Sequence, residues 1–158
     1  MTSTLDIYSK NEGAAGALSN FTAHAFVFEG VPCASMEGLL QAFTHADPAR
    51  QREVCALTGL EAKEAANANW LNEQDLHWQG KLFDRASGNY QSLLDRAYNA
   101  LFMQSAAFRK ALAATGTATL THKNGERDPH KTILTEEEFC SRLMNLRERL
   151  EDFEDDAA

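Results

Sequence analysis

The chain of 158 residues is poor in cysteine and has no long apolar run, and each deficit excludes a class of protein. Its three cysteines, Cys33, Cys55 and Cys140, lie far apart, form no CxxC pair and leave an odd count, so we expect reduced, mostly buried thiols. No apolar run approaches the roughly 20 residues that cross a bilayer, and the polar start MTSTLDIYSK lacks the features of a secretory signal. The sequence therefore predicts a soluble, cytoplasmic protein with no membrane partner.

The negative charge is concentrated at the C-terminus. The formal net charge is −8, yet five acidic residues lie in the last eight positions, and without them 15 basic residues face 18 acidic ones. This nearly balanced body lacks the basic stripe of a protein that holds DNA tightly by its phosphates. We interpret residues 151–158 as an acidic, solubilising tail and residues 1–150 as one domain, because this length supports a single well-buried core.

Capping residues and hydrophobic spacing predict several helices. Ser35 precedes an apolar stripe that is typical of one buried helix face. Asp47, followed by proline, marks a second helix start, for which Gly59 is a plausible end. The helical period returns from Asn89, and Thr135 opens the last helix with a capping box.

Strands are predicted to be few and short. Residues 5–8 suggest one strand, residues 24–31 a hairpin that turns at Glu29-Gly30, and residues 117–122 a half-buried strand. The stretch 60–88 shows no clear period, and its structure stays open. We predict a single compact α+β domain, predominantly helical with a few short strands.

Generic catalytic motifs are absent from the chain. It has no GxGxxG, Walker loop, GxSxG elbow or HExxH. Its five histidines show no metal-ligand spacing to one another. We therefore predict neither a metal nor a cofactor.

Four segments together resemble the NADAR (YbiA-like) family. Residues 18–21 read LSNF, residues 35–42 read SMEGLLQA, residues 112–116 read LAATG and residues 143–148 read LMNLRE. These correspond to the family's SNF motif, its SxE motif with a Gln four residues after the Glu, a helix that ends in TG, and a closing LMxLRE helix. The resemblance runs from about residue 18 to residue 150.

The resemblance implies a YbiA-like fold and cleavage of the bond between a ribose and a base. The implied substrates are ADP-ribosylated guanine, also within ADP-ribosylated DNA, or a related ribosyl phosphate such as the ribosylamino-pyrimidine intermediate of riboflavin synthesis. It implies catalytic roles for Glu37, Asp128 and a tryptophan, which is Trp78 or Trp70, and Trp78 fits the family spacing more closely. It implies substrate contacts for Asn20, Phe21, Gln41 and Trp70, while His130 and Lys131 lie in a basic segment that could serve a phosphate.

These residue types suit the chemistry. Departure of a base from ribose passes through an oxocarbenium-like cation, which a carboxylate stabilises while it orients the attacking water. The helix dipole is expected to keep Glu37 ionised, Asp128 to help the base leave, and the indole of Trp78 to stack on a base. Each residue also has an ordinary interpretation: a surface acid for Glu37, a turn for Asp128 and core packing for the tryptophans.

The sequence also departs from the family pattern. Thr44 stands where many relatives carry a lysine, a second lysine near Leu101 is missing, and Pro129-His130-Lys131 replaces a late WG pair. Three hypotheses therefore stay open. They are an N-glycosidase, a catalytically inactive module that binds an ADP-ribose or NAD-type nucleotide, and an acidic interaction protein without a small ligand. The oligomeric state stays open too.

Overall fold

The computed structural model describes residues 3–157, with side chains through residue 153. Within this range the helices are α1 Ala14–Ala17, α2 Met36–Ala42, α3 Pro48–Cys55, α4 Gly59–Glu64, α5 Trp70–Glu73, α6 Gly88–Gln104, α7 Ala106–Ala114, α8 Glu136–Glu148 and α9 Leu150–Ala157. The strands are β1 Thr4–Asp6, β2 Phe26–Phe28, β3 Val31–Cys33, β4 Asp75–Trp78, β5 Lys81–Asp84 and β6 Thr119–Thr121. The predicted class, α+β with helices dominant and strands few and short, is confirmed.

The strands form three separate pairs. β1 and β6 are parallel, with Leu5 opposite Leu120, whereas β2–β3 and β4–β5 are antiparallel hairpins. The predicted turn at Glu29-Gly30 is confirmed, with φ angles of 47° and 86°. Gln79-Gly80 repeats it in the second hairpin with 49° and 85°. Two successive left-handed residues form the turn that matches the twist of paired strands.

The predicted helix starts are confirmed by their capping contacts. The side chain of Ser35 accepts a hydrogen bond from the N–H of Gly38, and that of Asp47 accepts one from the N–H of Ala49. Thr135 and Glu138 form a complete capping box. Gly59, predicted to end α3, instead begins α4, because α3 already ends at Cys55 and the left-handed φ of 56° at Gly59 redirects the chain.

The core surrounds α6, the longest helix in the described part of the chain. It packs on β2, β5 and the helices α2, α7 and α8. Large aromatic side chains fill the space between these elements, and the most deeply buried of them are Phe43, Tyr90, Tyr98, Phe102, Phe108 and Phe139. None of the helices in residues 3–157 combines the length and apolarity needed to cross a bilayer.

The acidic C-terminal segment is helical through Ala157, and Ala158 lies outside the described residues. Phe153 anchors this helix, since its ring meets that of Phe102 edge to face at 5.9 Å. The guanidinium of Arg109 lies 3.9 Å from the centre of the Phe153 ring. Residues 151–157 are therefore helical, and Phe153 packs against Phe102 and Arg109 where the sequence suggested a solvated tail.

Candidate functional site

A cavity of about 570 Å³ opens beside helices α2 and α4, of the size that a small-molecule ligand needs. Its walls come from segments that are distant in sequence. They include Tyr8, Lys10, Asn20, Phe21, Glu37, Gln41, Leu60, Lys63, His122, Gly125, Glu126, Lys131, Thr132 and Phe139. Of the residues predicted for the site, Asn20, Phe21, Glu37, Gln41 and Lys131 meet here.

Helix α2 brings Glu37 to the cavity because its first turn lies unusually close to the end of α3. A Cβ on Gly38 would lie 2.7 Å from the carbonyl oxygen of Leu57 and 2.8 Å from that of Val54, so only glycine permits this approach. The hydroxyl of Ser35 caps α2 and donates to the same Leu57 carbonyl at 2.9 Å. The serine and glycine of the SxE segment therefore set the position of the glutamate.

A backbone hydrogen bond joins the SNF and SxE segments. The N–H of Glu37 donates to the carbonyl oxygen of Asn20 at 3.0 Å. The Oδ1 atom of Asn20 accepts from the hydroxyl of Tyr98 at 2.8 Å. Burial raises the pKa of Tyr98 well above its ordinary value, so this hydroxyl keeps its proton. Asn20 is thus fixed at the cavity wall, and its Nδ2 atom has no hydrogen-bond partner within residues 3–153.

The carboxyl group of Glu37 is half-buried and oriented by Gln41, whose Nε2 donates to Oε1 at 2.9 Å. Desolvation by burial raises the pKa of Glu37, although the Gln41 hydrogen bond and the charges of Lys63 and His122 oppose the rise. The helix dipole alone predicts a firmly ionised carboxylate. Loss of water outweighs the dipole here, and a glutamate with a raised pKa exchanges protons closer to neutral pH.

A buried arginine fixes the wall formed by residues 131–134. Arg85 is 2% exposed and binds Glu138 through two hydrogen bonds of 2.7 and 3.1 Å. Its Nε donates to the carbonyl oxygen of Thr132 at 2.9 Å. The hydroxyl of Tyr90 donates to the next carbonyl, that of Ile133. Sequence reasoning missed Arg85, because nothing in its neighbourhood distinguishes it from an exposed arginine.

The structure does not bring the tryptophans to this cavity. Trp78 is 3% exposed and packs against Phe28 and Phe43, with ring centroids 5.5 and 5.6 Å away. Its Nε1 donates to Glu29 at 3.0 Å, and Trp70 is also buried, at 7% exposure. The prediction that a tryptophan lies beside Glu37 is therefore wrong, because the β4–β5 hairpin directs the side chain of Trp78 into the aromatic core.

Asp128 and His130 also lie outside the residues that line the cavity. Asp128 accepts hydrogen bonds from the N–H of His130 at 2.9 Å and from its Nδ1 at 3.2 Å. The backbone hydrogen bond from His130 lowers the pKa of Asp128. These contacts are those of a turn residue, and of the three residues predicted from this segment only Lys131 reaches the cavity wall.

Several lining residues lie outside every motif of the sequence. Tyr8, Lys10, Lys63 and Glu126 come from segments that match no motif, so only the fold places them beside Glu37. Thr44, by contrast, is buried. Its hydroxyl donates to the carbonyl oxygen of Gln41 at 2.6 Å and accepts from the N–H of Asn67 at 2.9 Å.

No group of three or more His, Cys, Asp or Glu residues in the described part of the chain is placed to hold a metal ion.

The fold defines a structural class. The structure matches the NMR structure of the E. coli protein YbiA with a TM-score of 0.63, covering 98% of this chain and 89% of that one. The sequence identity is 22%, so the match concerns the fold. It confirms the YbiA-like fold expected from the four sequence segments.

Sequence comparison gives the family within that class. The family of bacteriophage protein GP30.3 matches residues 13–148. The chain is also 35% identical over 152 residues to an uncharacterized 17.1 kDa protein from the Gp30-rIII intergenic region of enterobacteria phage T4. That match covers 94% of this chain and 99% of the relative. The chain therefore belongs to the GP30.3 family of bacteriophage proteins.

Proposed function

We propose that this protein is an N-glycosidase that hydrolyses the bond between ribose and a base in an ADP-ribosylated base or a related ribosyl nucleotide. The observation that carries the proposal is the half-buried Glu37 carboxyl group, oriented by Gln41 inside a cavity of about 570 Å³. The cytoplasmic location and the ADP-ribose-type partner expected from the sequence are parts of this proposal.

Glu37 suits the central step of such a reaction. As the bond between C1 of ribose and the base nitrogen breaks, positive charge develops at C1 and a nearby carboxylate stabilises it. The same carboxylate accepts a proton from the water whose oxygen bonds to C1. The departing base takes up a proton, so the products are the free sugar hydroxyl and the neutral base. The raised pKa of Glu37 brings its proton exchange closer to neutral pH than that of an ordinary glutamate, which favours a group that accepts and returns a proton.

The lysines around the cavity support a phosphate-bearing substrate. Lys10, Lys63 and Lys131 are exposed, come from three separate segments and line the same cavity. Ammonium groups bind phosphate oxygens through charge-assisted hydrogen bonds. These lysines compensate for the two family lysines that the sequence lacks. The side chains of Tyr8 and Phe21 add aromatic surface for a ribose or base.

A catalytically inactive nucleotide-binding module is the second candidate, favoured by the position of the acids. Asp128 lies outside the cavity, and Oε1 of Glu126 accepts hydrogen bonds from the N–H groups of Arg127 and Asp128. Glu126 is the second acidic residue among the described residues that line the cavity. The third hypothesis, an interaction protein without a ligand, predicted no pocket and is disfavoured by the cavity.

Product analysis separates the two candidates. The protein is incubated with ADP-ribosylated guanine, as a nucleoside and within DNA, and with a ribosylamino-pyrimidine phosphate, and the released sugar product, ADP-ribose or ribose phosphate, is measured by chromatography. We expect cleavage of at least one substrate, an unchanged rate with chelator, and no cleavage by Glu37→Gln. Thermal protection by ADP-ribose without cleavage of any substrate would support the binding module instead. Neither protection nor cleavage would overturn both.

A further inference from the structure

His122 lies on the wall of the same cavity, and the surrounding backbone fixes its ring. The Nδ1 atom is 2.6 Å from the carbonyl oxygen of Ile7. A carbonyl oxygen can only accept a hydrogen bond, so Nδ1 carries a proton. The ring also meets that of Phe139 edge to face, with centroids 5.6 Å apart. One nitrogen of this imidazole is therefore committed to the fold, which leaves the other for a ligand.

Gly125 packs closely against the Cδ2–Nε2 edge of the ring. A Cβ on Gly125 would lie 2.5 Å from Cδ2 and 3.2 Å from Nε2 of His122, so a side chain there would clash with this edge. The turn is held by the N–H of Gly125, which donates to the carbonyl oxygen of His122 at 2.9 Å, and by the N–H of His122, which donates to Glu136 at 2.7 Å. Within residues 3–153, Nε2 has no hydrogen-bond partner.

We propose that His122 is the general acid that protonates the departing base, an inference that rests on the proposed function of Glu37. In this step the bond between C1 and the base nitrogen breaks, and its electron pair stays on the base. The Nε2–H of the imidazolium transfers its proton to that base, which leaves neutral, and the ring keeps its Nδ1 proton. Glu37 takes the proton of the attacking water, and solvent returns that proton to His122.

Two observations favour His122 over Asp128, the residue that sequence reasoning put in this role. His122 lines the cavity and Asp128 does not. The charge of His122 also lowers the pKa of Glu37, so the two groups are within electrostatic reach of each other. Imidazole is the side chain that gains and loses a proton most readily near neutral pH, which general acid catalysis requires.

Substrates with different leaving groups test the proposal. One is ADP-ribosylated guanine, and the other is the same compound methylated at N7 of guanine, whose base is already cationic and departs without an added proton. His122→Asn retains an amide N–H for the Ile7 carbonyl but loses Nε2. We expect it to slow release of guanine at least about 100-fold, and release of N7-methylguanine less than threefold.

His24→Gln is the matched control. The Nε2 atom of His24 lies 2.7 Å from the carbonyl oxygen of Ala17, and its ring meets Phe108 edge to face at 5.9 Å, but His24 does not line the cavity. This variant should release both bases at the parent rate. If His122→Asn does not reach the parent melting temperature, His122→Gln, which places an amide near the Nε2 position, is measured in its place.

The failures of the two proposals are distinguishable. Equal slowing of both substrates, or no slowing of either, overturns the role of His122 while the loss in Glu37→Gln still supports the glycosidase. A parent protein that releases neither base overturns both proposals.

Discussion

The chain around helix α2 serves two regions of opposite character. On one side, Glu37 and Gln41 face a cavity, and the glutamate is partly desolvated at a cost in free energy. On the other side, Phe43 packs against Trp78 in a dry aromatic core, and the indole N–H is paired with Glu29. The difference shows that residues of α2 and the residue that follows it have separate roles: Glu37 and Gln41 form the cavity wall, and Phe43 stabilises the core. Substitutions in the core should change stability, and substitutions at the cavity should change chemistry.

Replacement of Trp78 by Ala should have the largest effect on stability. It removes a ring that packs against both Phe28 and Phe43 and leaves Glu29 without its indole donor. We expect a loss of about 3–5 kcal/mol in the free energy of unfolding, measured with urea. Base release at temperatures well below unfolding should stay near the parent rate. Unchanged stability with lost binding of ADP-ribose would instead return Trp78 to the substrate site.

Replacement of Arg85 by Met should destabilise the cavity wall by about 3 kcal/mol, because it leaves Glu138 partly buried without its cation. Burial tends to raise the pKa of Glu138, but hydrogen bonds from Arg85, Thr135 and Gln91 hold it below its ordinary value of 4.5. A lowered pKa in the folded state means that the pair stabilises the protein above about pH 4.5 and loses this effect as the pH falls through the folded pKa.

The pH dependence supplies the check on Arg85. Urea unfolding of the parent and of Arg85→Met should differ most at neutral pH, and the difference should shrink below about pH 4.5. A difference that is the same at all pH values would show that lost packing of the arginine stem, and not the ion pair, carries the effect.

Replacement of Lys63 by Gln should have a smaller effect, seen first in binding, and should also raise the pKa of Glu37 further. It removes one charge from the cavity, so we expect the affinity for ADP-ribose to fall about 5- to 10-fold, with a weaker dependence on salt. Lys110→Gln is the control, because Lys110 is also an exposed helical lysine but does not line the cavity. Equal affinities of the two variants, measured by titration calorimetry, would remove Lys63 from the site.

The sequence predicts those parts of the fold that depend on neighbouring residues. The caps at Ser35, Asp47 and Thr135 and the turn at Glu29-Gly30 need only local contacts. The stretch 60–88 gave no clear period because its elements are too short to develop one: α5 and β4 have four residues each.

The site was predictable only where a motif carried it. Glu37, Gln41, Asn20 and Phe21 lie at the cavity as their motifs implied. The direction of the Trp78 ring depends on how the β4–β5 hairpin packs against Phe43, which no local pattern contains. The raised pKa of Glu37 likewise depends on burial, which distant segments create once the chain has folded.

The most direct test of this division is the rate of base release by Glu37→Gln and Trp78→Phe, each compared with the parent at neutral pH. We predict a loss of at least about 100-fold for Glu37→Gln and a rate close to the parent for Trp78→Phe. Because the pKa of Glu37 is raised above its ordinary value of 4.5, its ionisation lowers stability as the pH rises from 4.5 through the folded pKa, so the melting temperature of Glu37→Gln should not fall below the parent value. Parent-like turnover in Glu37→Gln together with lost turnover in folded Trp78→Phe would contradict the account.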